Sequence, residues 1–480
     1  MTISKVFING CWRDSHSQKS LVVTNPSTGE TVALIPNCDR EDVHEAVKSS
    51  IDGFTIWRTT TSEKRASILH SVANAVRQSA SRLADEISRE MGKPIKAALG
   101  EVLGSAELFD FFAEEGLRIK GDIYQYNYVN EQVQVVKEPV GIVAAITAAN
   151  YPIALLTWKL GAALACGCAV VAKPDERSTT VVFTLAQIFK DAGLPDGVFN
   201  VISGDGSTGS LLVEHPRISK IAFTGSVSVG QNIAAKAAGT CKRVSLELGG
   251  QCPAIIMNGI DPTKIVNEFI GQTFNNSGQY CYRINRAYVH ADIYDRFVKI
   301  LLEGVSKLKV GPADEIGVDQ GPLYHKNIFD HAMMHIADAE AKGAHLLCGG
   351  KRLYIGANGY YIAPTIFENA THDMLIMSEE TFGPILAIQK IDSLTEGIQY
   401  ANDSCYGLAA FVYAPDAGLG LQAARRMEAG VVWVNKIHKA YNFAPFGGLK
   451  KSGYGREKSE YGLDEYLELK TIYLSLPELE

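Results

Sequence analysis

A chain of 480 residues is longer than one hydrophobic core usually organises, so two or three domains are expected. Hydrophobic residues make up 46% and charged residues 21%, which is globular composition rather than disordered or fibrous. The 53 acidic and 46 basic side chains leave a formal charge of −7, and no basic stripe follows a phosphate backbone, so a nucleic-acid partner is excluded.

In chain order, the N-terminus runs from Met1 into a polar segment with no apolar stretch, and no signal peptide is read. Residues 40–118 are helix-rich, with apolar side chains at helical spacing between Ala66 and Met91. Residues 120–137 change to strand-like alternation at Val133 and Val135, the pattern of a hairpin outside the main sheet. Between Val140 and Ala172 the single charge is Lys159, yet this apolar run is not a membrane span. Residues 140–146 read as a buried strand, Asn150 and Pro152 break it, 153–166 form a helix and 168–172 a second strand. The alternation continues with a strand over 198–202, a helix over 209–214, a strand over 218–223 and a helix over 227–238. Such alternation predicts a doubly wound, mostly parallel α/β sheet. A last strand-like stretch, 471–476, matches the hairpin in character, and two exposed edges predict a homo-oligomer.

Nine cysteines, at 11, 38, 166, 168, 241, 252, 281, 348 and 405, are scattered and odd in number. They suggest neither a disulfide framework nor a zinc site, so no metal is expected and a reducing cytoplasm is the simplest setting. Cys166 and Cys168 read as packing residues. Cys281 differs because it closes the run Gly278-Gln279-Tyr280-Cys281 and has a carboxylate, Glu247, in the upstream run Leu246-Glu247-Leu248-Gly249-Gly250. A lone cysteine is more often a small hydrophobe. A thiol with a base within reach is a candidate nucleophile.

Three further motifs are Phe223-Thr224-Gly225-Ser226, Glu380-Thr381-Phe382-Gly383-Pro384 and Pro445-Phe446-Gly447-Gly448. In order and spacing the set resembles the NAD(P)-dependent, hydrolytic (non-acylating) aldehyde dehydrogenase superfamily over nearly the whole chain. The resemblance implies a Rossmann-like NAD-binding domain (1–119 and 139–248) and a second α/β catalytic domain (249–450). It also implies a small β oligomerisation extension (120–138 and 466–480), in a homodimer or homotetramer.

By the same resemblance Cys281 is the nucleophile, Glu247 the base for thioester hydrolysis, and Asn150 an oxyanion donor. Loss of such a donor typically costs ~2.7–4 kcal/mol of barrier. The usual Pro-Trp before this Asn is Ala148-Ala149 here. Lys159 and Glu457 correspond to a proton-exit pair. Lys173 and Glu176 bracket the adenosine ribose, and a carboxylate there favours NAD over NADP, although Lys173 still tolerates a phosphate. Gly225 and Ser226 open a helix whose amides suit a pyrophosphate. Glu380 and Phe382 hold the nicotinamide end.

Tyr151, Leu155, Trp158, Tyr280, Tyr282 and Phe446 line the implied substrate tunnel, with Arg283, His438 and Lys439 as candidate contacts for a polar substrate group. The arginines that clamp a distal carboxylate in succinate-semialdehyde dehydrogenases match Trp158 and Asn275, neither an Arg. A short hydroxyaldehyde (lactaldehyde-like) or aromatic aldehyde is therefore the first expectation and a semialdehyde the alternative. A cysteine hydrolase working without NAD finds no histidine motif among the 11 His. A silent structural protein on this fold would have lost Cys281 or Glu247.

Overall fold

Ile142–Ile146 illustrates how the chain builds a sheet covered on both faces. Side chains alternate along a strand, and here Val143 and Ala145 enter one apolar cluster while Ile142, Ala144 and Ile146 enter another. Five consecutive buried positions are thus divided between two cores, which is why the segment reads as unbroken hydrophobicity. The computed structural model describes residues 3–125, 130–356, 359–438 and 440–477.

The first sheet has eight strands: Cys11–Arg13, Val6–Ile8, Phe199–Val201, Ala169–Lys173, Ile142–Ile146, Lys220–Thr224, Arg243–Glu247 and Gly453–Tyr454, in spatial order. Its five central strands are parallel, and both edges are finished by antiparallel strands. The order reverses between Ile142–Ile146 and Lys220–Thr224, leaving a crevice at the carboxyl ends of the strands where ligands of such sheets bind. A second, seven-stranded sheet runs His345–Cys348, Thr365–Glu368, Ile385–Ile391, Ile284–His290, Cys252–Ile256, Ala409–Tyr413 and Val431–Val434. It too separates two apolar clusters. The fold is α/β throughout, with a doubly wound first sheet.

The helix read at 153–166 is Pro152–Cys166, with Pro at its first turn and Gly167 in the left-handed conformation after its end. The helix read from 209 starts earlier, at Gly206, because Asp205 caps it by accepting the Ser207 N–H. Among the described residues no helix is long and apolar enough to cross a membrane.

The two strand-like edge segments meet each other. Leu467–Ser475 pairs antiparallel with Glu131–Pro139 over nine positions, and Asp122–Gln125 completes the sheet. Each of these two segments thus finds a strand partner in the other, within one chain. The outer edge of Leu467–Ser475 is left, and Leu469 and Tyr473 on it are 70% and 80% exposed.

Candidate active site

Strand ends bring the first groups together. Glu247 closes Arg243–Glu247, Thr224 closes the neighbouring Lys220–Thr224, and the two stand opposite one another in register. The loop after Ile142–Ile146 carries Asn150, and the chain turns there into the helix Pro152–Cys166. From the other sheet comes Cys281, between the helix Pro262–Phe274 and the strand Ile284–His290. A cavity of about 260 Å³ is bordered by Cys281, Glu247, Asn150, Glu380, Phe382 and Leu155.

The segment before the nucleophile is held in a costly conformation. Asn276 (φ 50), Ser277 (φ 58) and Gly278 (φ 72) are all left-handed, a state that non-glycine residues keep only when their surroundings over-determine it. The surroundings do so. Asn276 Nδ2 donates to the Asn150 and Gln279 carbonyls, and Ser277 Oγ to the Gly321 carbonyl. Gln279 donates to the Asn276 carbonyl and accepts from the Tyr324 N–H at 2.9 Å. A Cβ at Gly278 would lie 2.1 Å from the Gly383 oxygen, so only glycine fits. The Gly278-Gln279 pair thus builds the platform that presents Cys281.

Asn150 is buried, and its Nδ2 donates to the Gln279 carbonyl at 3.1 Å. An amide NH₂ has two donors, so one N–H is fixed by this bond and the other can serve an oxygen in the cavity. Glu247 is 2% exposed, and among the described residues neither of its oxygens has a hydrogen-bond partner within ordinary geometry. Burial pushes its carboxyl up to about 8, the like charge of Glu457 adds to this, and Lys159 opposes it. The Cys281 thiol is raised above its ordinary range by burial first and by the facing Glu247 carboxylate second. The resting thiol is therefore protonated. Behind Glu247, the fully buried Lys159 donates to Thr224 Oγ1 at 2.6 Å and is ion-paired with Glu457, whose second oxygen has no partner among the described residues.

A second cleft, of about 620 Å³, shares Ala148, Thr224, Gly225, Ser226 and Tyr324 with the first cavity and reaches Lys173 and Glu176. Its walls suit a dinucleotide. Gly206 and Gly209 border it, and a Cβ at Gly206 would project into open space. The helix Val227–Ala238 begins there, and the Ser226 side chain makes no capping bond, so the first amides of the helix are available to a phosphate. Glu176 stands 3.0 Å from Arg177 and 3.8 Å from Lys173. At the opposite end Glu380 accepts the Gly250 N–H at 3.1 Å, and burial pushes its carboxyl up to about 7.

A third cavity, of about 590 Å³, is bordered by Tyr151, Trp158, Tyr282 and Asn275, together with Lys96 and Lys458. Tyr280 and Phe446 border none of these three cavities and are 5% and 1% exposed. Phe446 stacks edge-on to Trp158 (5.1 Å) and Tyr282 (5.3 Å), and Tyr280 packs on Tyr151 (6.5 Å) and Tyr282 (5.3 Å). Both rings fix the orientation of those that do border a cavity.

Arg283 is corrected as a substrate contact. It is 1% exposed and its guanidinium donates to the carbonyls of Thr381, Ile284 and Ile385, tying the nucleophile segment to the Glu380 loop. Five rigid donors in a buried space spanned by carbonyls explain the use of Arg there. Lys439 lies outside the described residues. Sequence reading missed Thr224, Tyr324 and Lys458. For Lys458 the available signal was its place next to Glu457.

The family model described as aldehyde dehydrogenase family matches residues 12–472. The succinate-semialdehyde dehydrogenase [NADP(+)] of Escherichia coli is 37% identical, covering 98% of each chain. The 3-sulfolactaldehyde dehydrogenase of Pseudomonas putida is 37% identical over 98% of this chain and 96% of its own. A crystal structure of betaine aldehyde dehydrogenase from Staphylococcus aureus in complex with NAD+ superposes with a TM-score of 0.95 at 30% identity. It covers 99% of this chain and 95% of that one. With a family match over almost its full length and a fold that superposes end to end, this chain belongs to the aldehyde dehydrogenase family.

Proposed function

We propose that the protein oxidises a small aldehyde bearing an anionic group to the carboxylate, using NAD in preference to NADP and water as acyl acceptor. The observation that carries the chemistry is the meeting of Cys281, Glu247 and Asn150 in one cavity continuous with the dinucleotide cleft. For the substrate class, relatives named for succinate semialdehyde and 3-sulfolactaldehyde carry the argument, since both compounds are anions. They support the semialdehyde alternative over the lactaldehyde-like or aromatic aldehyde first expected.

The Cys281 thiol releases its proton to solvent, and Sγ adds to the aldehyde carbon. The resulting oxyanion is held by Asn150 Nδ2 and the Cys281 N–H. Glu380 and Phe382 would hold a nicotinamide, which would supply the hydride acceptor needed to oxidise this adduct. Glu247 then takes a proton from water as the water oxygen bonds to the acyl carbon. The C–S bond breaks, the acid leaves, and Glu457 with Lys159 passes the surplus proton outward. Gly225, Ser226, Lys173 and Glu176 bind and orient the dinucleotide.

Absorbance at 340 nm with succinate semialdehyde, lactaldehyde and benzaldehyde, each with NAD and NADP, tests the reading. The highest kcat/KM is expected for succinate semialdehyde with NAD. A higher value for either neutral aldehyde would remove the anionic substrate class, and no absorbance change with any would remove the activity. Replacing Glu176 by Ser should raise kcat/KM with NADP relative to NAD by about tenfold or more, because a carboxylate no longer faces the 2′-phosphate. An unchanged ratio would detach Glu176 from cofactor choice.

Assembly as a homodimer or homotetramer is supported by the outer edge of Leu467–Ser475 with Leu469 and Tyr473 exposed along it. Nine unpaired thiols support a cytoplasmic setting.

A further inference from the structure

The helix Lys326–Ala341 carries the run His331-Ala332-Met333-Met334-His335. Residues four apart on a helix share one face, and the two imidazoles lie side by side with ring centres 4.2 Å apart. Opposite them is Glu379, where the short helix Leu375–Ser378 ends and the chain runs on into Glu380. His331 Nε2 stands 3.8 Å and His335 Nε2 3.7 Å from one and the same oxygen, Glu379 Oε2. The three ligand atoms all lie within 4.8 Å of one another.

His335 is fully buried, and its Nδ1 is 2.7 Å from Thr381 Oγ1. Its Nε2 is buried too, yet has no hydrogen-bond partner among the described residues. Buried polar atoms are normally matched. A hydrogen bond from Nδ1–H to the Thr381 hydroxyl leaves Nε2 as a bare lone pair facing a carboxylate oxygen. At 3.7 Å the two are too far apart for a proton to bridge them. One ring nitrogen held by an outer partner and the other presented to an open point is how a ligating histidine is oriented.

The spacing suits an ion. Zinc-like ions take imidazole nitrogen and carboxylate oxygen at ~2.0–2.2 Å in a tetrahedron, which sets ligand atoms roughly 3.3–3.5 Å apart. The nitrogen–oxygen separations here exceed that only slightly, and Glu379 is exposed and free to close the gap. The neighbouring carboxylates are engaged elsewhere. Glu380 accepts the Gly250 N–H, while Asp338 accepts the Leu375 N–H at 2.8 Å and pairs with Lys342 at 3.0 Å. Two imidazoles with one carboxylate favour zinc, cobalt or nickel over magnesium or calcium, which prefer oxygen alone. His331 and Glu379 are both partly open to solvent, so an ion has a way in.

We propose that His331, His335 and Glu379 form a binding site for a divalent transition-metal ion of the zinc class, with water in the fourth position. Through Glu379 the ion joins the helix Lys326–Ala341 to the segment that carries Glu380 and Phe382, and His331 sets it at the border of the reaction cavity. The site is independent of which aldehyde the enzyme takes.

Co2+ is the probe, because its visible bands report a tetrahedral nitrogen and oxygen site, whereas a near-ultraviolet thiolate band reports capture by cysteine. Wild type should take up one Co2+ per chain with the tetrahedral bands alone and a Kd on the order of 10 µM, and Zn2+ should displace it. His331→Ala and Glu379→Gln alter partly exposed positions and should keep the melting temperature of metal-free wild type. Both should bind Co2+ at least about tenfold more weakly. No spectral change up to about 1 mM Co2+ overturns the proposal. Bands of thiolate character, or bands that persist with unchanged affinity in both variants, place the ion elsewhere and overturn it as well.

Discussion

Replacing Cys281 by Ala should abolish reduction of NAD by every aldehyde while leaving NAD binding intact. Removing a covalent nucleophile typically lowers turnover by a factor on the order of 10⁵–10⁶, and no other thiol is placed to substitute. Cys252 lies close by, with its Sγ directed to the Cys281 carbonyl at 3.5 Å, and it borders neither the reaction cavity nor the dinucleotide cleft. The variant should fold, since the platform before residue 281 is held by Asn276, Ser277 and Gln279 rather than by the thiol. Quenching of protein fluorescence by NAD would report the intact cleft, and absorbance at 340 nm the lost chemistry. Turnover within tenfold of wild type would end the assignment of Cys281.

Replacing Glu247 by Gln should separate the two halves of the reaction. One equivalent of NADH per active site is expected in a fast phase, followed by turnover slowed about 10²–10⁴-fold, the usual worth of a positioned base. Gln has the same shape, so packing at this buried position is kept. The sign of the pH dependence follows from the raised carboxyl. Below about 8 Glu247 is mostly protonated and cannot take a proton from water, so wild-type steady-state turnover should rise with pH through about 8. The Gln variant should lose that limb. Stability moves the other way. A carboxyl whose folded value lies above its unfolded one adds stability below the unfolded value, and that stability is lost as pH rises through about 8. The variant should therefore gain in melting temperature relative to wild type at pH 9. A hydrolytic rate equal to wild type, or a missing burst, would show that another group activates the water.

Much of the framework was legible without coordinates. The strands and helices between residues 140 and 238 follow from alternation, breakers and caps, which are local properties. Errors fell at ends, as at Gly206, where one capping aspartate lengthened a helix. The pairing of Glu131–Pro139 with Leu467–Ser475 was out of reach, because a strand pattern names no partner and these are far apart in the chain.

The site divides along the same line. Residue type nominated Cys281 and Glu247 as a nucleophile with a base, and the family resemblance carried by the motifs added Asn150, Lys159, Glu457 and the dinucleotide residues. Spacing alone misjudged Arg283, whose charge looked available beside the nucleophile until burial showed it spent on carbonyls. Tyr280 and Phe446 were read as walls and stand one layer back. What the sequence by itself determined was the kind of reaction, because chemical identity is local. What only the tertiary structure decided was which groups are dry and which charges are spent on carbonyls or on one another. Those depend on contacts between segments far apart in the chain.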